Sequence, residues 1–501
     1  MRSVENPRHT AAGVFRIPTP VSRKTGRATI QTVAPDGRGI EQERPVLWTH
    51  LAPASGTLST DRSGTTIVTN RGTNLDPWYN SYAERTAGLA ASEVRALFAV
   101  ASRPEVVSLA GGMPFVSALP QDLVTGALET VMREQGSVAL QYGSGQGVPV
   151  LREQILDVMA LEGISASADD VVVTTGSQHA LELVSKLFLD PGDVVLSEGP
   201  SYVTAMVIFR SYQAEVEHVP MDEHGLIPAA LREHIARVRA TGKTIKFLYT
   251  IPTFHNPAGV TLSWERRVEI LEICTSEGIL VLEDNPYGLL YFEDVPPKAM
   301  RSLEEDGVIY LGTFSKTLAP GFRVGWALAP HAIRERLILA NEAAVLSPSS
   351  FSQLVISQYL KTADWRAQID TFRDVYRERK EAMLRGLQTH LPDLRWTNPN
   401  GGFYVWVTLP DDLDSKAMLP RAVKELVAYT PGTAFYGNGD GRQNLRLSFC
   451  YPTPERIGDG IRRLATVING ELDLLSTFAG TGRLDSAETS RRDAVLPPNI
   501  S

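Results

Sequence analysis

The sequence predicts an α/β protein: a sheet covered by helices on both faces, followed by a smaller α+β region. Two observations carry this. Between residues 171 and 311, short β-branched and apolar runs alternate with helix-like stretches. After about residue 350 the order changes, and long helices precede strands. A third observation bounds the folded part: the first 75 residues show no sustained period of 2 or 3.6.

Taken in order, residues 1 to about 75 are rich in Thr, Arg, Pro and Gly, and read as a disordered extension or an interaction tail. The chain becomes globular from about Pro77. Ser92–Val100 carries a helical pattern with Ser92 as its N-cap. Val171–Thr174 is a strand, and Gly176–Leu189 is a helix. Val194–Ser197 and Phe247–Thr250 are strands. Arg266–Glu277 is a helix, followed by strands at Ile279–Leu282 and Val308–Leu311. The helix Thr371–His390 then precedes strands at Gly402–Val407 and Asn444–Phe449. Residues 476–501 read as a second disordered tail. There is no internal repeat.

Composition narrows the class of function. The chain has 501 residues, 43% of them hydrophobic and 21% charged, with a net charge of −8. That charge gives no basic footprint for nucleic acid and no polybasic membrane patch, so a small polar substrate is the default. No run of about eighteen apolar residues suggests a membrane span, and the N-terminus lacks the apolar stretch of a signal peptide. The two cysteines, Cys274 and Cys450, make no disulfide framework and fit a reducing cytoplasm.

Five motifs carry chemistry. Thr313-Phe314-Ser315-Lys316 closes a strand, with Arg323 seven residues beyond. A lysine at a strand end can hold an aldehyde as an imine, while the serine hydroxyl and the guanidinium can hold a phosphate. A lone Ser-Lys pair is more often a surface feature; the flanking glycines and apolar strand shift the balance. Glu283-Asp284-Asn285-Pro286-Tyr287 follows the strand Ile279–Leu282, where α/β sheets place their ligands. Asp284 can keep a pyridine nitrogen protonated and make its ring an electron sink. Asp-Asn-Pro is equally good turn chemistry. Tyr287 can donate to a phenolic oxygen on the same ring, and Asn256-Pro257-Ala258-Gly259 reads as a turn or as a second donor to that oxygen. Thr174-Thr175-Gly176-Ser177-Gln178 joins a strand to a helix, whose first N–H groups form an anion site or merely a capped terminus. Tyr202 can stack on a ring. Arg446, inside an alternating strand, either faces solvent or grips a carboxylate through its planar fork.

The order of these motifs resembles the fold-type I pyridoxal 5′-phosphate (PLP) enzymes of the class I/II aminotransferases, closest to the 2-aminoadipate and broad-specificity subgroup. The resemblance spans roughly Pro77 to Glu471. Its landmarks are Ser108-Leu109-Ala110-Gly111-Gly112-Met113-Pro114, Gln141-Tyr142-Gly143 and the motifs above. It implies an N-terminal arm and part of the small domain over 76–124, a large PLP-binding domain with a mostly parallel sheet over 125–348, and a C-terminal small α+β domain over 349–475. It implies that Lys316 forms the imine with PLP and later carries the proton, that Asp284 pairs with the pyridinium, and that Asn256 and Tyr287 bind the phenolic oxygen. Gly176, Ser177, Gln178, Ser315 and Arg323 would cradle the phosphate, and Tyr202 would stack on the ring. Arg446, Asn256 and Gly112 would meet the substrate. Tyr142 would reach the neighbouring subunit's phosphate, so a homodimer is implied. The expected activity is amino-group transfer from an L-amino acid to a 2-oxo acid such as 2-oxoglutarate, by a ping-pong mechanism.

The chain departs from the commoner family pattern at Ala258, where Thr is usual, and His255 precedes Asn256; both read as neutral. Two other classes stay in view. Another PLP reaction on the same scaffold (lyase, decarboxylase or cyclase) would use the same residues. A PLP-binding transcription regulator would need a helical, basic N-terminal domain, and the prolines at 7, 18, 20, 35, 45 and 53 speak against one.

Overall fold

The computed structural model describes residues 58–60, 66–68, 76, 78–88 and 103–492, with side chains described through residue 478. The helix expected at Ser92–Val100 lies outside the described residues. The chain divides into two units, Met1–Ser81 and Tyr82–Ser501. In the first, Leu58–Thr60 pairs antiparallel with Thr66–Val68. This short ladder falls inside the stretch expected to be disordered, where the β-branched run Thr66-Ile67-Val68 favours a strand.

The second unit is built on an eight-stranded sheet. Its strands in chain order are β1 Val171–Thr174, β2 Val194–Gly199, β3 Glu215–Asp222, β4 Gly225–Leu226, β5 Ile245–Thr250, β6 Leu280–Asp284, β7 Val308–Thr313 and β8 Gly325–Leu328. Their spatial order is β1-β8-β7-β6-β5-β2-β3-β4. The pairings from β7 through β6, β5 and β2 to β3 are all parallel. Strand β8 runs antiparallel to both β7 and β1, so β1 points the same way as β7. The C-terminal ends of β1, β2, β5, β6 and β7 therefore lie along one edge.

The apolar runs of these strands are explained by burial on both faces. Along β5, Phe247 and Tyr249 pack into one core layer and Leu248 into the other. Val281 and Leu282 of β6 divide in the same way, as do Val308 and Ile309 of β7. Helices fill both layers. Those named below are α1 Gln121–Ala139, α2 Ser177–Phe188, α3 Val203–Ser211, α4 Trp264–Ser276, α5 Trp365–His390 and α6 Pro454–Arg492. Ser263 caps α4 by accepting from the Arg266 N–H, and Asp364 caps α5 by accepting from Ala367.

The smaller sheet has four strands, β9 Arg395–Trp396, β10 Tyr404–Thr408, β11 Thr430–Pro431 and β12 Asn444–Ser448, ordered β9-β10-β12-β11. The ladder sets Trp406 opposite Arg446 and Tyr404 opposite Ser448. Val107–Ser108 pairs with Val427–Ala428, which ties the start of the described core to this region. Helix α6 continues to Arg492, into the stretch read as a tail from 476; no proline interrupts it before Pro497. Cys274 and Cys450 are both buried free thiols.

Candidate active site

The edge formed by the parallel strand ends collects the residues singled out by sequence. Asp284 ends β6 and is buried. Its Oδ2 accepts a 2.8 Å hydrogen bond from the Tyr249 hydroxyl. Its Oδ1 is buried with no partner among the described residues. A buried carboxylate oxygen without a donor is costly unless something else supplies one. Burial lifts the Asp284 carboxyl to about 6, while the Tyr249 hydrogen bond and the positive charge of Lys316 act in the other direction.

Lys316 follows β7 by three residues. Its Nζ donates to the Gly112 carbonyl at 2.8 Å and stands 5.6 Å from the centre of the Phe403 ring. Burial pushes this ammonium down to about 8; Arg446 and Arg323 push the same way, and Cys450 and Asp284 oppose them. The amine thus has a substantial neutral fraction near neutral pH, which a nucleophile or general base needs.

A second group lies around the loop between β1 and α2. Gly176 has a φ of +85°, a conformation that L side chains rarely adopt. A Cβ there would stand 2.6 Å from Nη2 of Arg323. The helix begins at Ser177, with Gln178 next and exposed, so its first N–H groups open beside the guanidinium. Arg323, itself in the left-handed region at φ 54°, reaches Ser315 Oγ at 3.5 Å and the Thr175 carbonyl at 3.1 Å. Positive charge and oriented N–H groups in one concavity, kept open by a missing Cβ, suit a phosphate.

The third group centres on Arg446. It is 4% exposed, which excludes the solvent-facing alternative. Its Nη1 donates to Asn256 Oδ1 at 2.8 Å, and its Nη2 donates to the Ala110 carbonyl at 2.6 Å and to Thr430 Oγ1 at 3.3 Å. The Tyr404 and Phe435 rings lie 4.2 and 4.9 Å from the guanidinium carbon. Its Nε is buried without a partner among the described residues. Tyr287 is buried and donates to the Tyr404 hydroxyl at 3.4 Å. Tyr202, at the start of α3, has its phenol pushed up by burial, with Asp284, Tyr404 and Arg446 all close enough to act on it.

Tyr142 is different. It is 78% exposed and contacts none of these groups.

Several contributors were not read from sequence. Tyr404 occupies the space a Cβ on Gly112 would need, its hydroxyl only 2.1 Å away, and it arrives there through the β10–β12 register. Tyr249 lies on an expected strand, but nothing local said which face it takes. His255, read as neutral, is 1% exposed, with Nε2 3.2 Å from the buried Glu198 carboxylate and Nδ1 accepting from Ala258 N at 3.3 Å. Glu198 also accepts from Thr250 Oγ1 and Ile251 N. Ala258 packs in a small cluster with Trp406 and Phe435. None of the described helices is long and apolar enough to cross a membrane, and no metal-binding cluster occurs among the described residues.

Comparison with known proteins bears on what this edge binds. Residues 110–464 match the family model "Aminotransferase class I and II". The chain is 40% identical over 395 residues to aromatic-amino-acid aminotransferase 1 of Thermococcus litoralis, covering 78% of this chain and 94% of the relative. It is 36% identical over 403 residues to 2-aminoadipate transaminase of Thermus thermophilus, covering 79% and 99%. Among solved structures, kynurenine aminotransferase of Pyrococcus horikoshii, crystallised with pyridoxamine phosphate (PMP), superposes with a TM-score of 0.76 at 38% identity, covering 80% of this chain and all of that one. The unpartnered Asp284 oxygen, the buried lysine and the Arg323 guanidinium beside the Gly176 helix start fit a pyridoxal or pyridoxamine phosphate such as that structure holds. The chain belongs to the class I and II aminotransferases, fold-type I enzymes that work with pyridoxal phosphate.

Proposed function

We propose that this enzyme moves an amino group from an L-amino acid to a 2-oxo acid, with 2-oxoglutarate as acceptor, and that the residues assembled above divide the work. The observation that carries this reading is Asp284: a buried carboxylate with one oxygen tied to Tyr249 and the other left without a donor. That is what a pyridinium N–H requires.

Bound pyridoxal phosphate supplies an aldehyde that condenses with amines and a ring that withdraws electrons. Asp284 holds a proton at the ring nitrogen. Tyr287 and Asn256 donate to the phenolic oxygen. Gly176, Ser177, Gln178, Ser315 and Arg323 receive the phosphate, and Tyr202 stacks against the ring. Lys316 would be the covalent anchor for the aldehyde, and as a free amine it would carry the proton taken from the substrate Cα. Its pKa near 8 suits both directions. Arg446 binds the α-carboxylate, its Nε being a buried donor still unused. Gly112, with no side chain, admits the Tyr404 hydroxyl beside the substrate.

Exposed Tyr142 gains a role if a second copy completes each site with it. The exposed apolar side chains on and beyond α1 (Leu123, Leu128, Met132, Val138, Leu140) support a homodimer through that face. A reducing cytoplasm suits the two free thiols.

The test is a half-reaction on the purified holoenzyme without a 2-oxo acid. Single L-amino acids are added, and the 2-oxo acid product is identified. Stoichiometric conversion, one product per site, is expected for at least one donor. If carbon dioxide, ammonia or a cyclised product appears instead, another reaction on this fold replaces transamination.

A further inference from the structure

We propose that His218 is a positioning residue for the Arg446 carboxylate site, latching the loop that carries Phe435 to the end of strand β2. The proposal rests on the reading of Arg446 given above. His218 lies on β3 beside β2, outside the cofactor and substrate groups already described. Both of its ring nitrogens are engaged. Nδ1 stands 3.0 Å from the Glu198 carbonyl, and Nε2 accepts from the Gly437 N–H at 2.7 Å. A carbonyl can only accept and a backbone N–H can only donate, so the ring is neutral with its proton on Nδ1.

The other side of the same loop is held as well. Arg210 of α3 donates to the Gly437 carbonyl, and Ser201 N donates to the Phe435 carbonyl at 2.9 Å. The approach is close: a Cβ on Gly437 would stand 2.9 Å from Arg210 Nη2 and 3.2 Å from His218 Nε2, so a side chain there would push on both holding groups. The Tyr436 ring meets His218 edge-on, with centroids 5.5 Å apart. Phe435, fully buried one residue earlier, packs on Trp406 and lies 4.9 Å from the Arg446 guanidinium carbon. His218 therefore fixes, through Gly437, one of the two rings against which the carboxylate-binding arginine rests.

Protonation opens this latch. An imidazolium would turn an N–H toward the Gly437 N–H, donor against donor, beside the Arg210 cation. The groups facing His218 are Arg210 from α3, Glu217 on its own strand, Asp440 and Tyr436 on the loop, and the Glu198 carbonyl from β2. Burial and Arg210 hold the ring below the ordinary histidine range, against the Glu198 hydrogen bond, Glu217 and Asp440. The latch is thus closed at neutral pH, and because the ring is held below the usual histidine range it stays closed through that range and opens only on further acidification.

The experiment measures KM and kcat of the full-length holoenzyme for its amino donor between about pH 5.5 and 8.5. Wild type, His218→Gln, His218→Ala and Arg446→Leu are compared. Glutamine can accept from Gly437 and donate to Glu198 without titrating. Wild-type KM should rise on the acid side, and His218→Gln should flatten that rise and keep kcat. His218→Ala should raise KM across the range by roughly two- to tenfold, what one hydrogen bond is worth. A His218→Gln profile that superimposes on wild type overturns the proposal, even if His218→Ala fails to fold. If Arg446→Leu raises KM and the His218 variants behave as wild type, only the latch fails. If Arg446→Leu leaves KM unchanged, the carboxylate reading fails and the latch loses its purpose with it.

Discussion

The proposed phosphate end and the proposed carboxylate end of this site are built by opposite means. At the first, Gly176, Ser177, Ser315 and Arg323 come from two short, nearly local stretches, and the guanidinium remains exposed. At the second, Arg446 is buried among groups from Ala110, Asn256, Thr430, Tyr404 and Phe435, drawn from more than 300 residues of chain. On the proposed roles, backbone N–H groups and a solvated cation would serve a doubly charged ligand that stays, and a desolvated cation held in a fixed place would meet a carboxylate that comes and goes. Interactions in the solvated end should be worth less, residue for residue, than those in the dry end.

Substitutions sharpen or break this contrast. Lys316→Ala, at the junction of the two ends, should cost at least 10²–10⁴-fold in kcat, the usual value of a positioned acid–base group; turnover near wild type would remove lysine from the chemistry. Arg446→Leu should lower kcat/KM by roughly 10²-fold, since truncating a buried charged partner costs a few kcal/mol. If the loss is only a few-fold, the dry end has no advantage. Gly176→Ala should weaken cofactor retention by about tenfold, because it strains a positive φ and crowds Arg323. Equilibrium dialysis of the cofactor would read this directly. Ser315→Ala should have the smallest effect, about two- to fivefold in cofactor affinity, since its bond to Arg323 is long and solvated.

A pH experiment probes the junction itself. Because burial lowers Lys316 to about 8, cofactor uptake by the cofactor-free protein should quicken as the pH rises through about 8. Each unit below that value should slow it close to tenfold as the neutral amine is depleted. A midpoint near the ordinary lysine value would mean that the amine is solvated in solution. The sign is that of a cation disfavoured by burial, which gains reactivity on the alkaline side.

The same contrast explains what was legible in the sequence. The phosphate loop, Asp284 at its strand end and Lys316 three residues past another could be read because each depends on chain neighbours only. The strands themselves stood out because a sheet buried on both faces needs unbroken apolar runs, and β1, β5, β6 and β7 have them. Arg446 stayed ambiguous between solvent and substrate, because its burial is decided by β10 across the ladder. Tyr404, Tyr249 and the Glu198–His255 contact were missed for the same reason. Each takes its meaning from a residue dozens to hundreds of positions away. His255 meets the buried Glu198 carboxylate, a partner that its own motif does not reveal.

The way Arg446 is held has a thermodynamic consequence. An arginine side chain carries about 2 kcal/mol of rotamer entropy when free. Here Asn256, Ala110 and Thr430 have already immobilised it before any substrate arrives. That entropy is lost once, when the chain folds, and not again at each turnover. In its proposed role as carboxylate anchor, Arg446 would meet every incoming amino acid and 2-oxo acid with little freedom left to lose, so affinity differences among substrates would arise at their side chains rather than at this shared anchor.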